Sequence, residues 1–101
     1  MVDTLKQEAN RFLADVPEEY IFRCCDGQIL RNVKELRDSL NTMKEETYVF
    51  HVNKEKNDFA KWVRDIIKDE MMAMDLQKAP NRARAAKLVD NRKANLSKRL
   101  A

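Results

Sequence analysis

The only histidine of this chain, His51, stands in its densest polar group, followed by Asn53, Asn57, Asp58 and Trp62. An imidazole, a carboxylate and two amides at the start of an apolar-periodic segment admit two readings. They can line a ligand pocket, where the free N–H groups of a helix N-terminus suit an anion. They can equally hold the fold, with Asn57 as N-cap, Asp58 against the helix dipole, Phe59 and Trp62 in the core, and His51 hydrogen-bonded across the loop. Caps and core stripes far outnumber sites, so the second reading carries more weight. A metal centre built on His51 with Asp58 or Asp65 would fall short of the three or four protein ligands that zinc takes. Cys24 and Cys25 are adjacent, a spacing at which a disulfide is rare. On extended chain they point to opposite faces, which predicts one buried and one partly exposed free thiol in a reducing compartment. A thiol nucleophile served by His51 requires a meeting in space that spacing does not supply. No catalytic residue, metal or cofactor is expected, and the chain reads as non-enzymatic.

The second chemical feature is charge. The whole chain has 20 Lys/Arg and 17 Asp/Glu, a net charge of +3. That balance hides an asymmetry, because residues 79–101 contain Arg82, Arg84, Lys87, Arg92, Lys93, Lys98 and Arg99 against Asp90 alone. The remaining residues are therefore mildly acidic. A basic end on an acidic body points to a polyanionic partner, or to the end folding back on its own body. Arg84, Lys87, Arg92 and Lys98 are not confined to one strict helical face and are read as wrapping the helix. Each phosphate such a helix neutralises releases counterions, giving affinity without sequence reading. No aromatic residue follows Trp62, so stacking on single-stranded bases is not favoured.

The elements that position these residues follow from periodicity. Leu5, Ala9, Phe12, Leu13 and Val16 predict an amphipathic helix over residues 3–16, stopped by Pro17. Tyr20, Ile21 and Phe22 precede Asp26-Gly27, and Ile29 and Leu30 follow. This is a hairpin signal, with the only glycine where a positive φ is needed. Asn32 is placed to cap a helix carrying Val33, Leu36, Leu40 and Met43. Thr42 and Glu45 have capping-box spacing for a short further segment. In that segment Tyr48, Val49, Phe50 and Val52 leave helix and strand open. From Asn57, a long core helix carries Phe59, Trp62, Val63, Ile66, Ile67, Met71 and Met74 on one stripe, leaving Met72 off it and exposed, up to Pro80. Residues 81–100 are good helix formers with only Ala85, Val89, Leu96 and Leu100 as a thin apolar stripe. They predict a helix that protrudes or is ordered by a partner.

From Phe22 to Asp65 the chain resembles a family of small archaeal and bacterial domains without an established activity. The resemblance rests on Asp26-Gly27, Leu36, Leu40, Met43 and His51-Val52-Asn53. It continues through Lys56-Asn57-Asp58-Phe59-Ala60, Trp62 and Arg64-Asp65. The stretch from His51 to Asp65 is its specific part. The resemblance implies a fold and no mechanism, and the basic end lies outside it.

The expected fold is a single small α+β domain, mainly helical, with one β-hairpin and four or five helices. Residues 1–79 form a compact body, and residues 80–101 a protruding basic helix. The expected core is Phe12, Phe22, Leu36, Leu40, Phe50, Phe59, Trp62, Val63 and Ile66. No apolar run is long enough for a membrane span, and the expected location is the cytoplasm. The expected function is association with nucleic acid, DNA or RNA, chromatin-like or ribosome-associated. Its contacts are phosphates met by the basic helix, and truncation after Ala79 is expected to abolish them. The alternative is a protein-interaction or homo-oligomerisation module, in which the acidic body meets a partner's basic helix and Met71, Met72 and Met74 seal the contact.

Overall fold

A computed structural model describes residues 4–101; Asp3, at the start of the expected first helix, lies outside them. The fold is the expected small α+β domain, mainly helical, with one two-stranded antiparallel hairpin. The α-helices are α1 (Leu5–Leu13), α2 (Val33–Thr42), α3 (Glu45–His51), α4 (Asp58–Trp62), α5 (Glu70–Lys78) and α6 (Arg82–Lys98). Six helices thus replace the four or five expected. The strands are β1 (Phe22–Arg23) and β2 (Ile29–Leu30).

Local chemistry explains most boundaries. Thr4 and Gln7 form a reciprocal capping box at the start of α1. That helix ends at Leu13, before Pro17 and not at it, because the chain turns extended at Ala14. Phe22 pairs with Leu30 and Arg23 with Ile29. The Gly27 N–H donates to Cys24 O, and Gly27 adopts φ +92°, a conformation that L side chains rarely reach. Asn32 accepts from Glu35 N–H and starts α2 as expected. The Thr42–Glu45 capping box does not form. Thr42 is the last residue of α2, its hydroxyl donates back to Asp38 O, and Lys44 at the N-cap position of α3 makes no side-chain cap.

The expected long core helix is broken. From Asn57 it runs as α4, widens into a π-helical stretch at Val63–Ile67, and stops at Lys68, which takes φ +75°. Asp69 then caps α5 by accepting from Met72 N–H. The restart changes the phase of the apolar stripe. Met72, Ala73 and Leu76 turn inward, while Met71 and Met74 are more than half exposed. The expected roles of Met72 and its neighbours are therefore reversed.

The core holds Phe12, Phe22, Leu36, Leu40, Phe59, Trp62 and Val63 as expected, with Ile66 only partly buried against it. Phe50 does not belong to it: two residues earlier on α3, Tyr48 takes the buried position and Phe50 faces out, 56% exposed. The basic helix also departs from expectation, because α6 does not protrude. It packs on α2, α5 and α1, and Ala85, Ala86, Val89 and Leu96 are fully enclosed. Small side chains let helices approach closely, so a thin stripe suffices when three helices share it. No helix among the described residues is long and apolar enough to cross a membrane.

Candidate functional site

The His51 group comes together, and every polar member of it is spoken for. The Cys25 backbone N–H donates to His51 Nε2 at 3.0 Å. A backbone amide is always a donor, so Nε2 carries no proton and the ring proton sits on Nδ1. Nδ1 then donates to Asp58 Oδ2 at 2.9 Å. Asp58 also accepts from Lys56 Nζ at 2.9 Å. Burial pushes the Asp58 pKa up, but the hydrogen bonds from Lys56 and His51 outweigh it and hold the carboxyl below its usual value. Asn57 caps α4 through Ala60 N–H and donates to Leu76 O. Asn53 donates to Val49 O and accepts from Glu55 N–H. Trp62 Nε1 donates to Tyr20 O at 2.8 Å. Around these bonds the rings of Phe22, Phe59, Trp62 and His51 pack at 4.9–5.7 Å. His51 is thus a clamp: it ties the hairpin turn to the end of α3 and the start of α4, bridging the 52–57 loop.

Cys24 does meet His51 in space, with Sγ 3.6 Å from Nε2 and Asp58 on the far nitrogen. This places a thiol, an imidazole and a carboxylate in series. Two facts disarm it as a nucleophile. The Nε2 lone pair already takes the Cys25 N–H, and burial pushes the Cys24 thiol up to about 11. Cys25, in contrast, is exposed. The nearby depression of about 300 Å³ is lined by Phe22, Asp58, Trp62 and neighbours, and His51 does not reach it. A wider cleft of about 660 Å³ lies elsewhere, between the hairpin turn and the start of α3, beside Cys25, Asp26, Lys44, Thr47 and Phe50. Among the described residues no three His, Cys, Asp or Glu side chains converge as metal ligands.

The seven cations of the C-terminal segment divide by the face of α6 they occupy. Arg82 Nε donates to Glu45 at 2.8 Å and its Nη1 to Leu40 O at 2.7 Å, where it closes a free carbonyl of α2. Arg92 grips Asp69 with two bonds, of 2.8 and 3.2 Å. The two side chains are 10% and 1% exposed, so this pair is buried. Arg99 donates to Glu8 at 2.9 Å on α1. Asp90, the acid of this segment, pairs with Arg37 of α2. Lys93 is half-buried in the inner row with Val89 and Leu96. Arg84, Lys87 and Lys98 are exposed, and among the described residues their side chains make no ion pair or hydrogen bond.

The cations therefore do not wrap the helix for a partner. Three bind α6 to the body, and Arg84, Lys87 and Lys98 share the outward face. Of the two options left open for the basic end, folding back on the acidic body is what these ion pairs do. Asp69 was not legible as their buried partner, because the continuous-helix reading left no cap at that position. The signal was present as an Asp three residues before the inward Met72.

These features define a small helical α+β domain whose polar cluster is engaged in internal hydrogen bonds and whose last helix presents a cationic row to solvent. Comparison with protein families, curated proteins and solved structures finds no match to this chain.

Proposed function

We propose that the protein associates with nucleic acid through the outward row Arg84, Lys87 and Lys98 on α6. The observation that carries this reading is selective pairing: Arg82, Arg92 and Arg99 are engaged by body acids, while these three are left in solvent on one face. A phosphate backbone is the partner that rewards unpaired, aligned cations, through counterion release. The competing picture, an acidic body meeting a partner's basic helix, is weakened by the same pairs. Glu45, Asp69 and Glu8 already meet the basic helix of their own chain.

Truncation after Ala79 does not test this, because it strips Ala85, Ala86, Val89 and Leu96 from the core. The test is duplex binding by the full chain as a function of salt, read by fluorescence anisotropy. Three phosphate contacts predict a log–log slope of roughly −2.7 on B-form DNA. The triple change Arg84→Ala, Lys87→Ala, Lys98→Ala removes that binding. Equal weakening by Lys44→Ala, Lys54→Ala, Lys61→Ala, the same charge change on the body, would refute the assignment to α6.

A further inference from the structure

The outward face of α6 carries more than charge, and what it carries names the polymer. At 100° per residue, Arg84, Lys87, Asn91, Asn95 and Lys98 fall within about 80° of arc, so they form one row along the helix. Asn91 and Asn95 are exposed, and among the described residues their side-chain amides have no hydrogen-bond partner. Both sit inside a 17-residue helix that is capped elsewhere, at Asn81. Asparagine is a poor residue for a helix interior, and neither amide serves a cap. Where a sequence breaks a local rule without structural return, function is the usual reason.

Resting on the nucleic-acid reading above, we infer that α6 lies in the major groove of B-form DNA. Lys98 at one end and Arg84 with Lys87 at the other meet the two phosphate walls, while Asn91 and Asn95 face adenine edges between them. The dimensions fit. The eleven residue steps from Lys87 to Lys98 span about 17 Å of helix, and Arg84 extends the row to about 21 Å. The major groove is about 12 Å wide and admits a helix, so a row of that length laid along it at a tilt brings its ends toward the two walls while the middle turns lie over the bases. An amide is the group that makes paired bonds to the N6 and N7 atoms of adenine. A-form RNA keeps those edges in a groove too deep and narrow for a helix, which excludes duplex RNA as the preferred ligand. The flanking acids Asp38 and Asp90 each pair with Arg37 and stay about half exposed beside Lys87.

The experiment uses the full chain and the variant Asn91→Ala, Asn95→Ala, which places better helix formers on an exposed face and leaves the core untouched. Binding is measured to a DNA duplex, to an RNA duplex of the same sequence, and to a DNA pool randomised at its centre, followed by selection. The expected result is DNA bound at least tenfold more tightly than RNA, with adenine enriched in the selected sites. The double variant should lose tenfold or more on the selected site while keeping the wild-type affinity and salt slope on unselected DNA. Equal binding of DNA and RNA, with no enrichment and no effect of the variant, overturns the groove assignment and leaves phosphate binding standing. Failure to bind any duplex at low salt overturns both.

Discussion

Replacing Arg92 by Met should cost this domain more than any surface charge change. Arg92 and Asp69 are the most enclosed ion pair among the described residues, with side chains 10% and 1% exposed and bonds of 2.8 and 3.2 Å. Asp69 has one further partner, the Met72 N–H at 3.1 Å, through which it starts α5. Met fills the space of the arginine stem but leaves a buried carboxylate with that single donor. Breaking a buried pair from one side costs about 3–5 kcal/mol. Domains of this size hold only about 5–15 kcal/mol in total. At about 4–8 °C per kcal/mol, the melting temperature should fall by roughly 12–40 °C. The assay is thermal and urea unfolding followed by far-UV circular dichroism. The double change Asp69→Asn, Arg92→Met is the control, because it removes the stranded charge and keeps an N-cap residue. The double variant should be more stable than Arg92→Met alone. Should Arg92→Met lose less than about 1 kcal/mol, as an exposed arginine would, the pair is not buried in solution. The division of α6 into a binding face and a structural face would then be wrong.

Three further outcomes are expected. In the folded protein a chromogenic thiol reagent at neutral pH should titrate one fast thiol, Cys25, with Cys24 reacting only on unfolding; two fast thiols would contradict the burial that pushes Cys24 up to about 11. The Asp58 carboxyl is held below its usual value when folded, so its contribution is present above the unfolded carboxylate range and is lost as pH falls through the folded value. Urea midpoints should therefore drop on acidification below about pH 4 more steeply in the wild type than in Asp58→Asn, and parallel curves would refute that linkage. Gly27→Ala meets open space, so it should lose only about 1–2 kcal/mol from the φ of +92°, measured by urea unfolding, with no change in thiol burial.

The sequence by itself determined the local stops and starts of this protein. Asn32 and Asn57 are caps because their side chains bond the next turn's N–H groups, and that chemistry is written within three residues. Asp26-Gly27 marks the hairpin because glycine takes a positive φ without the steric cost of a Cβ. The apolar spacing around Leu36, Leu40, Phe59 and Trp62 gave most of the core for the same local reason. The tertiary structure decided what periodicity averages over. A left-handed Lys68 rotated the helix that follows, so the inward methionine is Met72, with Met71 and Met74 outside. The path of the chain brought Cys24 and Asp58 to the two nitrogens of His51. It also chose which cations of α6 stay in water. Arg92 is inside because Asp69, twenty-three residues earlier, lies opposite it, whereas among the described residues no acid pairs with Arg84, Lys87 or Lys98. Charge along a chain is a local property, but pairing is set by whatever the fold places across from it, and that partner is remote in sequence.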